Sequence, residues 1–238
     1  VMREVIVYGA GTMGSGIAHT FALHGYQVVL VDLDELALAK SKQSITKNLE
    51  RQKKKGIITV KHVSETLNQL IFCKDASKQL KSCDLVVEAV SENFDVKLKV
   101  LRAAEKLVSS KAILTTNTSS ISITKLAAAL ENPGRFLGMH FMNPVPVMSL
   151  VEVIKGIRTR PQTVDLVVSI VETLDKYPVI VNDYPGFVAN RILMPMINEA
   201  IYTLHEGIAT VSAIDQIMQI GMSHPMGPLK LADFIGLD

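Results

Sequence analysis

Hydrophobic and polar positions along this chain follow two alternating periods. EVIVY (4–8), QVVLV (27–31), DLVVEAV (84–90), AILTTNTSS (112–120), RFLGMHFMNP (135–144), MSLVEVIKG (148–156) and YPVIVND (177–183) each contain a short apolar run of the kind that forms a buried strand. Between them lie segments of helical period. One follows GAGTMG and ends near Gly25; another carries Leu38, Ile45 and Leu49 as one apolar stripe. VSETLNQLIF reads as a weaker helix, and NFDVKLKVLRAAEKLV, ISITKLAAAL and TVDLVVSIVETLDK as three more. Strands alternating with helices, each strand apolar on both faces, predict an α/β fold with a mostly parallel sheet covered on both sides.

The pattern changes after DYPGF. From Val188 onward there is no strand signal, only the helical stretches VANRILMPMINEAIYTLHEG and TVSAIDQIMQIG. Pro185-Gly186 supplies a turn, so two domains are expected, 1–184 and 185–238. Beyond the second helix the chain reads as one short loop ending at IGLD. About 50 residues make a small independent core, so the helical domain is expected to lean on the first domain, on a second subunit or on further residues.

Composition narrows the class. The 238 residues are 48% hydrophobic and 20% charged, an ordinary globular balance. No apolar run is long enough to span a bilayer, and no signal-peptide pattern precedes the first strand, although the chain starts at Val1-Met2. Cys73 and Cys83 match neither a disulfide framework nor a metal spacing, which fits a reducing, cytoplasmic setting. The net charge of +2 is too small to suggest nucleic acid. Its distribution is uneven: residues 40–61 hold eight basic residues against Glu50 alone, +7, which leaves −5 elsewhere. Such an island suits an anionic ligand or a solvated helix face.

Gly9, Gly11 and Gly14, with Thr12 and Met13 between, form G-x-G-x-x-G after a strand and before a helix. In that context Gly9 makes the tight turn, Gly11 lets a pyrophosphate approach the backbone and Gly14 lets helix and strand pack closely. The fold is thus Rossmann-like. Asp32 ends the second strand, placed to accept hydrogen bonds from ribose hydroxyls and to repel a 2′-phosphate; NAD(H) is favoured over NADP(H).

Hydride transfer needs a group to handle a proton. Of six histidines, His140 lies at the C-terminal end of a strand, where open α/β sheets gather their reactive residues. None of the six has metal-ligand spacing with a third ligand, so no metal is expected. Glu152 sits in SLVEVI, an apolar run where an unpaired charge is costly. If 136–142 and 148–154 pair antiparallel about Pro146, positions 140 and 152 fall opposite each other. A buried carboxylate there would orient the imidazole and stabilise its charged form after proton uptake; a purely structural pair bracing a hairpin is the alternative.

GAGTMGSGIA, DLVVEAVSEN, TNTSSISIT, GMHFMNPVPVMSLVEVI, PGFVANRILMPMINEA and HPMGPLKLADFIGLD together resemble the L-3-hydroxyacyl-CoA dehydrogenase family, in particular its short 3-hydroxybutyryl-CoA dehydrogenases. The resemblance runs the length of the chain. It implies that His140 is the catalytic base, Glu152 its orienting partner, and Ser119 and Asn190 the residues that hold the substrate's 3-oxygen. It implies that Glu92, Lys97, Asn117, Ser119 and Asn143 join the glycine turn and Asp32 in binding NAD. Lys55 would contact coenzyme A, and Asn48 a neighbouring part of it, at a position often serine in the family. Ser119 has a second reading as an N-cap for a helix near Ser122, with Ser120 free to take that task. The resemblance also implies an acyl-CoA substrate, a homodimer formed through the second domain, and further helices beyond IGLD. The expected reaction is reversible oxidation of an (S)-3-hydroxyacyl-CoA by NAD. A dehydrogenase of a free hydroxy acid and a non-catalytic dinucleotide-binding protein of the same fold are the alternatives.

Overall fold

A computed structural model describes residues 4–236. The chain divides into two compact units, one ending at Tyr184 and the other beginning at Pro185.

The first unit is an eight-stranded sheet with helices. In chain order its elements are β1 (Glu4–Tyr8), α1 (Thr12–Leu23), β2 (Gln27–Val31), α2 (Glu35–Lys54), α3 (Val60–Asn68), β3 (Leu70–Cys73), β4 (Leu85–Glu88), α4 (Phe94–Glu105), β5 (Ile113–Thr116), α5 (Ile123–Ala128), β6 (Phe136–Phe141), β7 (Leu150–Lys155), α6 (Pro161–Thr173) and β8 (Tyr177–Asn182). The strand order is β3-β2-β1-β4-β5-β6-β7-β8. All neighbouring pairs are parallel except β6–β7. The order reverses between β1 and β4, the switch point at which open α/β sheets bind ligands. Strands β1, β2, β4, β5 and β6 are buried almost throughout, which is why they read as continuous apolar runs.

The expected helix over VSETLNQLIF is only half present. It stops at Asn68, and Leu70–Cys73 becomes β3, pairing with β2 from Val28↔Leu70 to Val31↔Cys73. A short apolar run suits either period, and here pairing at the sheet edge decides. Helix α2 is capped by Asp34, whose side chain accepts from Leu36 N, and buries Leu38, Ser41, Ile45 and Leu49. Its basic residues Lys40, Lys47, Arg51 and Lys54 are exposed.

The second unit holds α7 (Ala189–His205), α8 (Val211–Gln216), a π-helical turn at Ile217–Gly221 and α9 (Pro228–Ile235). Helix α9 replaces the loop expected before IGLD. Pro228 stands at its first position, where a missing N–H costs nothing, and the Asp215 carboxylate accepts from Leu229 N and Lys230 N. A proline that reads as a breaker is here a helix start. Leu237 and Asp238 lie outside the described residues.

Candidate active site

The glycine turn forms from conformations that side chains would not permit. Gly9 has φ +100, and its N–H donates to Val31 O at 2.8 Å. A Cβ on Gly9 would lie 2.4 Å from Ala89 O, and one on Gly14 only 1.8 Å from Gly9 O. Around Gly11 nothing lies within 4 Å of such a Cβ, so the backbone is open to a ligand there. Helix α1 starts at Thr12 with no side chain capping it, and Met13 turns inward against the core, leaving its backbone at the helix start. Asp32 is joined to the same turn: Oδ2 accepts from Ala10 N at 2.7 Å and Oδ1 from Asp34 N at 2.9 Å. A cradle that any Cβ would fill, an uncapped helix N-terminus and a carboxylate one strand away together fit a dinucleotide.

His140 and Glu152 stand opposite each other in the antiparallel β6–β7 ladder, with Met139↔Val153 and Phe141↔Val151 on either side. His140 Nδ1 lies 2.7 Å from Glu152 Oε2, and the two residues are 8% and 3% exposed. A carboxylate only accepts, so Nδ1 carries the shared proton. The link between the strands contains the cis Asn143-Pro144 bond and is braced from below. Buried Lys176 donates to Val145 O and Met148 O, each at 2.6 Å, and burial pulls its ammonium below the usual lysine range.

A second buried cluster, unforeseen as a unit, lies at the ends of β4 and β5. Lys97 Nζ faces Glu88 Oε1 at 2.9 Å, Glu92 Oε2 at 3.1 Å and Val90 O at 3.2 Å, one acceptor for each ammonium hydrogen. Glu88 also accepts from Thr116 Oγ1 at 2.6 Å and Val90 N at 2.7 Å. Burial raises the Glu88 carboxyl above the ordinary range, with Lys97 and the hydrogen bonds pulling the other way. Burial also works against Glu92, but the Thr118 hydroxyl and the Lys97 charge outweigh it and hold that carboxyl low. Glu92 Oε1 then gathers the loop after β5: Thr118 Oγ1 donates to it, as do Ser119 N at 3.0 Å and Ser120 Oγ at 3.1 Å. The loop that carries Ser119 is therefore held by a carboxylate from the loop after β4. Neither Ser119 nor Ser120 caps α5; Ser122 does, accepting from Lys125 N.

The remaining residues fall into three places. Asn117 is buried, its Oδ1 accepting from Phe141 N at 2.9 Å, which ties the end of β5 to β6 beside His140. Asn48 and Asn143 line one cleft of about 420 Å³ together with Gly11 and Thr12. Lys55 follows the last turn of α2, exposed and outside that cleft's lining. Asn190 stands in the first turn of α7, in the second unit. Among the described residues no group of three or more His, Cys, Asp or Glu could hold a metal, and no helix is long and apolar enough to cross a membrane.

Comparison with known proteins identifies the family. Residues 4–184 match the family model described as 3-hydroxyacyl-CoA dehydrogenase, NAD binding domain, and residues 186–238 that described as 3-hydroxyacyl-CoA dehydrogenase, C-terminal domain. A 3-hydroxybutyryl-CoA dehydrogenase of Bradyrhizobium diazoefficiens is 48% identical over 238 residues, which span 100% of this chain and 81% of the relative. A probable 3-hydroxybutyryl-CoA dehydrogenase of Deinococcus radiodurans is 50% identical over 233 residues, 98% of this chain and 83% of the other. The crystal structure of (S)-3-hydroxybutyryl-CoA dehydrogenase from Ralstonia eutropha superposes with a TM-score of 0.97 at 46% identity, covering 100% of this chain and 84% of that one. The turn at Gly9–Gly14 lies in an NAD-binding domain, and the cofactor is NAD.

Proposed function

We propose that this chain, which belongs to the 3-hydroxyacyl-CoA dehydrogenase family of NAD-dependent oxidoreductases, interconverts an (S)-3-hydroxyacyl-CoA and its 3-ketoacyl-CoA, with 3-hydroxybutyryl-CoA as substrate. The observation that carries this reading is the His140–Glu152 pair, held in register at the end of a strand in the same sheet as the dinucleotide turn.

The glycine turn and Asp32 would hold NAD, which would supply the hydride acceptor for C3. The chain's own residues handle the rest. With Nδ1 committed to Glu152, proton exchange with the substrate hydroxyl falls to His140 Nε2. Glu152 keeps the ring in that tautomer and stabilises the imidazolium that results. In the reductive direction the same nitrogen returns the proton to the 3-keto oxygen. Ser119 donates to that oxygen from the loop gathered by Glu92, and Asn190 is the residue of the second unit assigned to it. Gly9–Gly14, Asp32, Glu92, Lys97, Asn117 and Asn143 serve the cofactor, with Glu92 and Lys97 acting through the Thr118–Ser120 loop they hold. Asn48 and Lys55 serve coenzyme A, supported by Asn48's place in the cleft beside the glycine turn. Pairing of the second unit with another copy is supported by its exposed Ile192, Ile220 and Phe234.

The test is to mix protein, NADH and acetoacetyl-CoA and follow the loss of NADH absorbance. His140→Gln should lower turnover by about 10²–10⁴-fold, the usual worth of a general acid–base. Near-normal turnover in that variant would overturn the assignment. Neutralising Lys54 and Lys55 together should raise KM for the CoA thioester; no effect would point to a free hydroxy acid instead.

A further inference from the structure

Among the described residues, four buried side-chain atoms have no hydrogen-bond partner: both ring nitrogens of His19, the Ser41 hydroxyl oxygen and Gln52 Oε1. Folded proteins pair nearly all such atoms, and each exception needs a reason. These four are not scattered. His19 and Ser41 line the 420 Å³ cleft between α1, α2 and the 143–146 link. Gln52 lines an adjoining cleft of about 400 Å³, and Pro146 forms part of the wall of both. His19 is 0% exposed and Ser41 2%, so bulk water does not satisfy them. The C-cap residue of α1 shows what a satisfied histidine looks like: His24 Nδ1 lies 2.8 Å from Thr20 O.

We propose that the floor of this groove hydrogen-bonds a neutral, amide-bearing chain, with His19 and Ser41 as specificity-determining contacts for the pantetheine arm of the acyl-CoA. The proposal rests on the CoA-thioester reading above. Burial, and then His24, pushes the His19 imidazole down to about 4, so the ring is neutral and offers one N–H donor and one bare acceptor. A secondary amide presents the complementary C=O and N–H. The Ser41 hydroxyl can donate or accept, and Gln52 Oε1 accepts from a further N–H. Phosphate oxygens only accept, so a phosphate would leave the acceptors here unmet; cationic charge sits instead at the rim, where exposed Lys40 lines the same cleft. The groove is narrow by construction. A Cβ on Gly16, one turn before His19, would come within 2.9 Å of Val145 Cβ, so only glycine there lets α1 close on the link.

The experiment compares three substrates: acetoacetyl-CoA, acetoacetyl-pantetheine and the amide-free S-ethyl acetothioacetate. His19→Leu should lower kcat/KM for the two amide-bearing substrates by about 3- to 10-fold per lost hydrogen bond, chiefly through KM, and leave the amide-free thioester unchanged. His19→Gln should recover most of the loss, because a carboxamide also donates and accepts. Ser41→Ala should show the same selectivity with a smaller loss, and it decides the matter alone if His19→Leu fails to fold. Without substrate, His19→Leu should melt no lower than the parent, since an unpaired polar group has been removed. An equal loss on the amide-free thioester, or no loss on any substrate, overturns the proposal while leaving the dehydrogenase assignment intact. If the parent protein reduces a free 3-keto acid but not acetoacetyl-CoA, the CoA reading falls and this inference falls with it.

Discussion

Lys97→Met is the substitution with the largest effect that the geometry allows to be worked out. Lys97 and Glu88 are 1% and 0% exposed, and the ammonium meets three acceptors. Methionine nearly fills the volume but leaves the Glu88 carboxylate buried with only Thr116 and Val90 N as partners. Stranding one member of a buried pair costs about 3–5 kcal/mol, a large part of a typical 5–15 kcal/mol of stability. At about 2–4 °C per kcal/mol for a chain of this size, the melting temperature should fall by roughly 6–20 °C. The loss also carries a sign with pH. A carboxyl raised in the folded state contributes stability that is complete below its unfolded value and lost as pH rises through the folded one. Glu88 is already raised by burial with Lys97 present, and removing Lys97 extends that rise. The deficit should therefore be larger near about pH 8 than near about pH 5. Thermal and urea unfolding of Lys97→Met, Glu88→Gln and the double variant check this. The double variant should regain most of the loss, because no charge is then stranded. A single-variant loss under about 1 kcal/mol, or a double variant no better than Lys97→Met, would refute the reasoning.

Glu152→Gln should lower kcat by about 10- to 100-fold, the worth of a charge-assisted hydrogen bond of roughly 1.5–3 kcal/mol; unchanged steady-state turnover would remove Glu152 from the chemistry. Asp32→Asn should relax the preference for NAD over NADP by about 10-fold or more in the ratio of kcat/KM values, since both the ribose contacts and the repulsion of a 2′-phosphate go. Because Asp32 also accepts from Ala10 N, KM for NAD should rise as well. Glu92 and Asp183 are both held below their ordinary values, against burial, by hydrogen bonds, from Thr118 to Glu92 and from Thr124, Ser122 and Ile123 to Asp183. Their contribution to stability is present above the unfolded values of 4.5 and 3.8 and lost as pH falls through the folded ones. Glu92→Gln and Asp183→Asn should each flatten the acid limb of a stability-versus-pH curve, and a limb of unchanged slope would count against the assignment.

What the chain's pattern disclosed depended on how far apart the interacting residues lie. Period and turn chemistry placed the strands other than β3, the glycine turn and the helical second unit, because each is decided within a few residues; β8, expected to be buried, is instead largely exposed, because it is the edge strand beyond β7. The His140–Glu152 opposition was countable, since one hairpin fixes register. Strand β3 was not, because LIFC takes its identity from lying beside β2, more than forty residues earlier. Helix α9 was hidden because its N-terminal partner, Asp215, belongs to α8 and not to the segment itself. The cap of α5 at Ser122 had rivals in Ser119 and Ser120, and only Glu92 shows why those two are occupied elsewhere.

The Glu88–Lys97 pair has a signature in the sequence itself. Glu88 interrupts DLVVEAV as Glu152 interrupts SLVEVI, a charge in a run that otherwise asks to be buried. Lys97 is equally out of place: with Leu101 and Ala104 it occupies the i, i+4, i+7 stripe by which α4 faces the core. A buried carboxylate at the end of a strand and a lysine on the buried face of the next helix each demand an opposite charge, and both lie on apolar stretches that face the same core. One misplaced charge could be a surface irregularity, but two of opposite sign, nine residues apart on consecutive elements, predict a contact. Here that contact also sets where Ser119 stands, because Glu92, which gathers the Ser119 loop, meets the same ammonium. On the role proposed for Ser119, one buried cation serves both the fold and the reaction, so Lys97→Met should impair turnover as well as folding.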